Sequence, residues 1–290
     1  MNRASFFIAN KALFGSYPSI EGIKELHKNK VKYFIDLTYP DEKGIHKYKT
    51  DFFYLNFPIR DHRVPRCWRS FAKFIIQLAK IIKNLKNNEK IYIHCRGGHG
   101  RSGVVVASLL CYMKKISPSE AISQTTKYHN QRVEMRDKWR KLGSPQTRSQ
   151  KHFVTKFFEP LLVYKNYSKY FSTGFNNDSR VSVNIPKIGR FSSATLALKH
   201  FKDIITASCT DESDKYWKKI RKKIMYHILK NKFSQHIDLY NNLTSTGLRP
   251  IKVVSSDKFW GIQNFSGSNE TGNILEEIRI EFYINFSRLS

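Results

Sequence analysis

Apolar residues follow two alternating patterns along this chain, and these patterns predict strands and helices. Three short runs rich in aromatic and β-branched residues are typical of buried strands; they are residues 31–38 (VKYFIDLT), 52–58 (FFYLNFP) and 91–94 (IYIH). Residues 68–85 instead carry apolar side chains at helical spacing, and residues 103–113 form an apolar helix directly after a glycine-rich turn. Strands that alternate with helices predict an α/β fold with a mostly parallel sheet, whose ligand site lies at the carboxyl ends of the strands.

The pattern changes near residue 165, and this change predicts two domains. Helical spacing continues over residues 119–128 and 147–164, whereas residues 165–190 are polar and rich in Gly, Pro, Asn and Ser. From Phe191 the pattern is again helical, and its clearest helix covers residues 218–233. We therefore predict a first domain over residues 1–165, a linker or irregular connecting segment over 166–190, and a second, mainly α-helical domain over 191–290.

The charge balance of the chain is strongly basic. Its 290 residues include 51 Lys and Arg against 23 Asp and Glu, which gives a net charge of +28. Such a field attracts polyanions, including phosphorylated protein, phosphoinositide headgroups, RNA and DNA, and the attraction weakens with salt. Many lysines stand beside Asn and Ile, so a biased composition on solvated helix faces is an equally good explanation. Charge alone leaves both interpretations open.

The cysteines and the N-terminus are typical of a protein in a reducing compartment. The four cysteines, Cys67, Cys95, Cys111 and Cys209, lie far apart without metal-ligand spacing, so we predict neither a disulfide framework nor a metal site or other cofactor. The first residues hold too short an apolar run for a signal peptide, and no segment approaches the roughly 18 apolar residues of a membrane span. We therefore expect an intracellular, cytoplasmic protein in a reducing environment.

One segment, residues 91–104 (IYIHCRGGHGRSGV), places a cysteine at a strand end and an arginine six positions later. The glycines between them permit a tight turn in which consecutive backbone N–H groups converge, and the following helix adds its positive N-terminus. Such a loop suits a tetrahedral oxyanion, and its field favours the thiolate form of Cys95 beneath that anion. The planar guanidinium of Arg101 can then bind two oxygens of the anion at once.

These residues resemble the HCx5R(S/T)G signature of the protein tyrosine and dual-specificity phosphatase superfamily, and the match comprises His94, Cys95, Arg101, Ser102 and Gly103. The resemblance implies metal-independent hydrolysis of phosphomonoesters through a phosphocysteine, and a cysteine-phosphatase-type sheet flanked by helices. It also implies that Ser102 helps the thiolate leave and that His94 fixes the loop. The implied phosphate-binding residues are Arg96, Gly97, Gly98, His99, Gly100 and Arg101.

Two further segments resemble the same superfamily. FPIRDHRVP places Asp61 34 positions before Cys95, where dual-specificity phosphatases carry their general-acid loop. The resemblance implies that Asp61 protonates the leaving oxygen and then deprotonates the attacking water, although His62 or a turn-capping role for Asp61 stays open. SPQTRSQKHFV resembles the QTxxQ stretch of tyrosine phosphatases, whose glutamines orient the hydrolytic water. Gln146 and Gln150 match it, but the segment also suits an ordinary helix start.

The loop defines the substrate less sharply than the reaction. Arg96 and His99 add two basic side chains, which is similar to lipid phosphatases related to tensin, and RNA 5′-phosphatases of the superfamily would also suit so basic a chain. We find no segment that resembles the pocket-deepening loop of large tyrosine phosphatases, so we expect a shallow, tolerant pocket. Arg60, Arg63 and Arg132 are candidates to line it, although solvated surface is expected for each. Phosphorylated protein is the expected substrate. An RNA or nucleotide 5′-phosphatase, a phosphoinositide phosphatase and a silent polyanion-binding module stay open.

Residues 191–290 show neither a nucleophile motif nor metal-ligand spacing. They nevertheless resemble the C-terminal half of the NADAR family, also called YbiA-like. The match comprises the motifs KF, TG, WG and GxNxxGxxLxxxR at Lys232, Phe233, Thr246, Gly247, Trp260, Gly261, Gly267, Asn269, Gly272, Leu275 and Arg279. The ligand-site residues that this resemblance implies are Trp260, Gly261, Gly267, Asn269, Gly272 and Arg279.

The same resemblance implies a nucleotide-type ligand, because the NADAR family is associated with hydrolysis of N-glycosidic bonds in ADP-ribose-type or riboflavin-pathway substrates. The family's Glu–His pair before the first helix is replaced here within residues 191–201 (FSSATLALKHF). Since a glycosidase needs a carboxylate, an active glycosidase, a binding-only relative and a structural module all stay open. Asp257, Glu276 and Glu277 are alternative carboxylates, although an exposed helix or turn position is expected for each.

Overall fold

The computed structural model describes residues 2–45, 47–164 and 174–285 and divides into two compact units, Met1–Phe158 and Glu159–Ser290. This division lies before the predicted linker, whose residues 166–173 fall outside the described ranges. The described remainder of that linker belongs to the second unit, because Phe175, Val183 and Ile185 are buried in the core of that unit.

A five-stranded sheet forms the centre of the first unit. Its strands are β1 (Ala4–Ile8), β2 (Ala12–Gly15), β3 (Val31–Asp36), β4 (Phe53–Asn56) and β5 (Lys90–His94). They lie in the order β1-β2-β5-β3-β4; β1 is antiparallel to β2, and the other neighbours are parallel. The predicted α/β fold with a mostly parallel sheet is therefore confirmed.

Helices surround this sheet, and α3 is the most deeply buried of them. The helices of the unit are α1 (Ile20–Lys28), α2 (Trp68–Asn84), α3 (Arg101–Lys114), α4 (Pro118–Asn130), α5 (Asp137–Leu142) and α6 (Arg148–Phe158). Every residue of α3 from Arg101 to Cys111 is buried, which explains its apolar sequence. Helix α6 ends at Phe158 and not at residue 164 as predicted, because Pro160 cannot continue a helix and disfavours helical backbone at the preceding residue.

The strand register brings three carboxyl ends to one edge of the sheet. His94 at the end of β5 pairs with Asp36 at the end of β3 and with Gly15 at the end of β2. Residues that follow β5 therefore lie beside the residues that follow its two neighbours. This edge is where a parallel sheet offers a ligand site.

The second unit is mainly helical, as predicted. It contains β6 (Leu161–Val163), β7 (Val183–Ile185), β8 (Gly189–Phe191), β9 (Ile251–Val253), α7 (Ala194–Ile205), α8 (Asp211–Gln235), α9 (Ile237–Ser245) and α10 (Glu270–Asn285). Strand β6 pairs with β9 in parallel, and β7 pairs with β8 in an antiparallel hairpin. Apolar side chains from α8 and α10, including Leu229, Phe233 and Leu275, pack with these strands into one core.

Candidate active site

The loop between β5 and α3 places Cys95 at the carboxyl edge of the sheet. Cys95 directly follows the last residue of β5, and α3 begins at Arg101, so residues 95–100 form the connection. Cys95 is buried, and its Sγ lies 3.6 Å from the hydroxyl oxygen of Ser102 in the first turn of α3. The thiol therefore adjoins a helix N-terminus, where backbone N–H groups lack intrahelical acceptors.

Gly98 lets this loop pass close to the end of β2. Its φ of +73° lies in the left-handed region that favours glycine, and a Cβ at this position would lie 2.3 Å from the carbonyl carbon of Gly15. The backbone N–H of Tyr17 also donates to the carbonyl oxygen of Arg96, at 3.0 Å. The loop is therefore held against β2, and any side chain at position 98 would force the two backbones apart.

Arg132 holds the same loop through its guanidinium. It donates to the carbonyl oxygens of Gly98, at 2.8 Å, and Phe14, at 3.1 Å, and its Cζ lies 4.4 Å from the centre of the Phe14 ring. Burial lowers the pKa of Arg132 to about 10, although Tyr92 and Cys95 act in the opposite direction. The expectation of a solvated Arg132 is therefore wrong, since the residue is 2% exposed and supplies donors that buried loop carbonyls require.

Arg101 is buried among carboxylates and keeps one donor unused. Its Nη1 and Nη2 donate to the two carboxylate oxygens of Glu42, at 2.6 and 2.9 Å, and Nη2 lies 3.0 Å from Oδ1 of Asp61. Burial acts to lower the pKa of Arg101, but the hydrogen bonds to Glu42 and the surrounding negative charges outweigh it and raise the pKa. The Nε atom is buried and has no hydrogen-bond partner within the described ranges.

Glu42 is a site residue that the sequence analysis missed. It lies in the polar loop after β3, 59 positions before the arginine that it binds. Its two oxygens face the two terminal nitrogens of Arg101, which is the bidentate geometry that fixes a guanidinium plane. No motif around Glu42 marks this contact, so the sequence carried no signal for it.

Asp61 lies on the loop after β4, beside Arg101 but open to solvent. Its side chain is 47% exposed. Its Oδ1 accepts from the backbone N–H of His62, at 3.0 Å, and its Oδ2 lies 3.8 Å from the ring Nε2 of His62. The structure therefore places Asp61 beside Arg101, at the end of the loop that holds Cys95, and leaves its carboxylate in contact with solvent.

His94 is enclosed in a polar network beneath the loop. Its Nε2 lies 2.7 Å from the hydroxyl of Tyr48, and its Nδ1 lies 3.8 Å from Oδ1 of Asp36. Burial lowers the pKa of His94 to about 4, although the charge of Asp36 acts to raise it. The imidazole is therefore neutral at pH 7 and has no exposed surface.

The two side chains expected to make the loop basic have different environments. Arg96 is exposed, whereas the ring of His99 stacks on Trp139 with a centroid distance of 4.8 Å, and its Nδ1 lies 2.8 Å from Nε2 of His129. Burial lowers the pKa of His99 to about 3, and nearby His129 lowers it further. His99 is therefore neutral at pH 7, and the expected pair of positive side chains in the loop reduces to Arg96.

The two matched glutamines also differ. Helix α6 begins at Arg148, and the hydroxyl of Thr147 accepts from the backbone N–H of Gln150, so Gln150 lies in the first turn and Gln146 lies before it. Gln150 is buried, and its Nε2 donates to the carbonyl oxygen of Arg63, at 3.2 Å. A Cβ on Gly100 would lie 2.8 Å from this amide, so Gln150 adjoins the loop, whereas Gln146 is half-buried.

In the second unit, three residues that match the NADAR motif hold β9 in place. Asn269 accepts from the backbone N–H of Val253, at 2.9 Å, and donates to the carbonyl oxygen of Ile251, at 2.7 Å. A Cβ on Gly272 would lie 2.1 Å from the Ile251 oxygen, and one on Gly261 would lie 2.4 Å from the Val253 oxygen. Close packing of the backbone against β9 therefore explains why the motif has glycine or asparagine at these positions.

The remaining motif residues also have contacts inside the domain. The Nη1 of Arg279 donates to the hydroxyl of Thr246, at 2.7 Å, and to the carbonyl oxygen of Arg249, at 2.9 Å. Gly267 lies against the backbone of residue 261, and Trp260 is half-buried against the core. The side chains of Asn269 and Arg279 are almost fully buried, so neither reaches the surface to meet a ligand there.

The alternative carboxylates of this domain differ in their surroundings. Glu276 accepts from the backbone N–H of Ile251, at 2.8 Å, and Asp257 accepts from that of Phe259, at 2.9 Å. Glu277 is exposed on α10. Asp257 and Glu276 therefore have structural partners in the backbone.

Lys232 is, with Arg279, a buried cation of the second unit. Its Nζ donates to the carbonyl oxygen of Asn176, at 3.1 Å, and to the hydroxyl of Ser179, at 2.7 Å. Burial lowers the pKa of Lys232 to about 8, although Asp178 acts to raise it. An amine with a pKa near neutrality is a feature of functional sites, and sequence reasoning had marked this lysine only as part of a KF motif.

The described part of the chain has neither a cluster of metal ligands nor a membrane-spanning helix. No group of three or more His, Cys, Asp and Glu side chains is arranged there to hold a metal ion. Among the helices in those ranges, none is long and apolar enough to cross a membrane.

Comparison with known proteins assigns a family to each half of the chain. The dual specificity phosphatase catalytic domain matches residues 13–148, and the NADAR domain matches residues 145–283. These matches cover the loop of Cys95 and the motif residues around β9, respectively. They agree with the two resemblances inferred from the sequence.

Viral relatives match both halves together. The protein 197R of invertebrate iridescent virus 6, which is named for a tyrosine phosphatase, is 34% identical over 286 residues, or 95% of this chain and 90% of the relative. The similarly named 067L of invertebrate iridescent virus 3 is 37% identical over 185 residues, or 62% of this chain and 76% of the relative. The crystal structure of Tk-PTP in its active form is 22% identical, covers 53% of this chain and 94% of its own, and has a TM-score of 0.42. The chain is therefore a phosphatase that belongs to the tyrosine and dual-specificity phosphatase superfamily and carries a NADAR domain in its C-terminal half.

Proposed function

We propose that the first domain hydrolyses phosphomonoesters of phosphorylated protein through a phosphocysteine intermediate. The thiolate of Cys95 attacks phosphorus while the bond to the leaving oxygen breaks, and Asp61 gives its proton to that oxygen. Asp61 then takes a proton from water, which attacks the phosphocysteine and releases inorganic phosphate and the thiolate. Ser102 stabilises the departing thiolate, because its hydroxyl lies 3.6 Å from the sulfur and can donate to it.

One observation carries this proposal, namely the unused Nε–H of Arg101. A buried donor without an acceptor costs about 1–3 kcal/mol, so a ligand that supplies the acceptor recovers this free energy on binding. Because Glu42 occupies the two terminal nitrogens, the Nε edge stays available for an oxygen of the phosphoryl group.

The remaining residues of the loop complete the phosphate site in this proposal. The backbone N–H groups from Arg96 to Arg101 surround the anion, which explains why a loop with three glycines is needed there. His99 contributes its backbone only, since its ring is neutral and stacked on Trp139. Gln150 orients the hydrolytic water, because its buried amide adjoins Gly100; Gln146 is the second candidate for this role.

The test is phosphate release by the purified full chain in the presence of a metal chelator. The substrates are a phosphotyrosine peptide, a phosphoinositide and a 5′-triphosphorylated RNA. We expect release from the peptide by the wild type and by Cys209→Ser, an exposed cysteine in the second unit, and no release by Cys95→Ser. Activity of Cys95→Ser equal to that of the wild type would refute the phosphocysteine mechanism.

The same assay separates the alternative substrates. A preference for the triphosphorylated RNA would support an RNA 5′-phosphatase, which the net charge of +28 favours. A preference for the phosphoinositide would support a lipid phosphatase, although the neutral His99 removes one of the two charges on which that alternative rested. If the folded protein releases phosphate from none of these substrates, the remaining alternative is a polyanion-binding module.

For the NADAR domain we propose binding of a nucleotide-type ligand of the ADP-ribose class, without cleavage. The family match supports the ligand class. The replacement of the family's Glu–His pair within residues 191–201 supports binding without cleavage, because a glycosidase needs a carboxylate at its site. Lys232 is the residue to test, as one that holds Asn176 and Ser179 in place and not as a ligand contact, since it has no exposed surface.

This second proposal is tested by titration of ADP-ribose into the full chain carrying Cys95→Ser, so that the phosphatase site does not alter the ligand. We expect saturable binding that Lys232→Met weakens and Lys223→Met, at an exposed position on the same helix, leaves unchanged. Chromatography of the mixture should show intact ADP-ribose. Absence of binding at millimolar ligand would refute the proposal, and a released base would replace binding with hydrolysis.

A further inference from the structure

A cleft of about 780 Å³ lies beside the loop that carries Asp61 in the first domain. Its charged wall consists of Arg60, Arg63 and Arg66, which we call the arginine cleft. Two serine hydroxyls, from Ser70 and Ser149, line it as well. Of the described residues that form its wall, none is Asp or Glu.

The basic composition of the chain does not by itself produce such a wall. A larger cleft of about 1030 Å³ in the same domain has charged residues of both signs, which are Arg3, Lys47, Arg96, Glu21, Glu25 and Glu134. Its three carboxylates balance its three cations. The arginine cleft differs because its positive charge is uncompensated.

The arginines of the cleft are suited to phosphate. Arg63 and Arg66 are exposed, and across the described ranges neither side chain has a carboxylate within ion-pair distance. Arg60 lies with its Cζ 4.9 Å above the centre of the Tyr39 ring, a contact that orients its guanidinium. Planar guanidinium groups bind phosphate oxygens in pairs, and hydroxyls such as those of Ser70 and Ser149 add further donors.

The cleft shares a wall with the candidate active site. Asp61 stands between Arg60 and Arg63 in the chain, and its Oδ1 lies 3.0 Å from the guanidinium of Arg101. The carbonyl oxygen of Arg63 accepts from Gln150, which directly follows Ser149. Ile59 also lines the cleft, and its carbonyl oxygen accepts from Nη1 of Arg101, at 3.0 Å, so the cleft adjoins the guanidinium of the candidate active site.

We propose that the arginine cleft binds a second phosphate of a phosphoprotein substrate, on a residue close in sequence to the one that is dephosphorylated. This inference rests on the proposed phosphatase mechanism and specifies its substrate class as multiply phosphorylated polypeptide. The aromatic rings of the cleft favour a peptide over RNA, because one face of each is already covered. Tyr39 carries Arg60, and Phe57 stacks on Phe74 at a centroid distance of 4.2 Å, so each ring has at most one face left on which a base could stack.

The experiment compares peptides of one sequence that carry either a single phosphotyrosine or the phosphotyrosine and a second phosphorylated residue two to four positions away. The readout is the ratio of kcat/KM for the doubly and singly phosphorylated peptides, at fixed ionic strength, with the full chain. We expect a ratio of about ten or more for the wild type, from charge-assisted hydrogen bonds to the second phosphate. Arg63→Gln combined with Arg66→Gln should bring the ratio close to one.

Lys47→Gln is the matched control, because it removes a positive charge from the other cleft, and it should keep the wild-type ratio. Thermal unfolding of each variant establishes that it is folded. A wild-type ratio near one, or a ratio that survives the double arginine substitution, would overturn the inference. So would competition by 5′-triphosphorylated RNA that depends on these arginines while the second peptide phosphate has no effect. Failure to hydrolyse either peptide would instead count against the proposed function itself.

Discussion

The substitution Arg132→Lys tests whether a buried guanidinium holds the phosphate loop in place. Arg132 bridges the carbonyl oxygens of Gly98 and Phe14 with two different nitrogens. Lysine keeps the positive charge but presents a single ammonium group, so it cannot reproduce the planar fork. One of the two buried carbonyls would then lose its donor.

The expected loss of stability follows from the hydrogen bond that this substitution removes. A buried carbonyl without a donor costs about 1–3 kcal/mol. A loss of about 2 kcal/mol lowers the Tm of a domain of 150–250 residues by about 4–8 °C. If Gly98 moves once its carbonyl is released, the N–H groups of the loop no longer converge, and kcat/KM should fall by about tenfold or more.

The assay combines thermal unfolding with kcat/KM for a phosphotyrosine peptide at 25 °C. Arg136→Lys is the matched control, because it makes the same replacement at an exposed position four residues away. We expect Arg136→Lys to leave both quantities unchanged. If Arg132→Lys has the Tm and the activity of this control, the reasoning that Arg132 positions the loop is refuted.

Three further predictions concern acid catalysis, pH and loop packing. Asp61→Asn should lower kcat by about 100-fold or more for a substrate whose leaving oxygen must be protonated, but much less for an aryl phosphate whose leaving group needs no proton. Equal losses of kcat for the two substrates would contradict the acid role. The pKa of His94 is lowered from 6.5 to about 4, so the unfolded chain binds a proton first as the pH falls, and the free energy of unfolding should decrease below pH 6.5, by about 2 kcal/mol at pH 5. The lowered pKa of His99 adds to the same decline, so urea unfolding of His94→Asn should remove only the share of His94, and an unchanged slope would exclude this histidine as a contributor. Gly98→Ala should abolish phosphate release and lower the Tm, because its Cβ meets the end of β2 at 2.3 Å, whereas Gly189→Ala, also at positive φ but with nothing within 4 Å, should retain activity.

The loop of the candidate site could be predicted from the sequence because its functional residues are contiguous. Residues 94–103 contain the thiol, the glycines, the guanidinium and the hydroxyl in one run, so local chemistry is enough to predict their association. The roles of Glu42 and Arg132 could not be predicted in the same way. Their hydrogen bonds reach residues 59 and 34 positions away, and a lone Glu or Arg in a polar stretch carries no local signal of burial.

The same distinction applies to the fold. Strands β3 and β5 were predicted because both contain continuous apolar runs, as central strands of a parallel sheet do. The hairpin of β1 and β2 was missed, since its strands have only five and four residues and its turn depends on Asn10 at a φ of 57°. In the second unit the motif residues were recognised, but their roles could not be predicted, because Asn269 and Arg279 act on backbone atoms that the fold brings to them.

The pairing of β6 with β9 has a consequence for the order in which the chain folds. Leu161 pairs with Ile251, 90 positions later, so the second unit cannot complete its core until most of the chain has been synthesised. At about 5–20 residues per second, β6 waits roughly 5–18 s on the ribosome for its partner, while the first unit, which ends at Phe158, has already emerged. During this interval β6 is an unpaired edge, and its length of only three residues limits its capacity to recruit strands of other nascent chains.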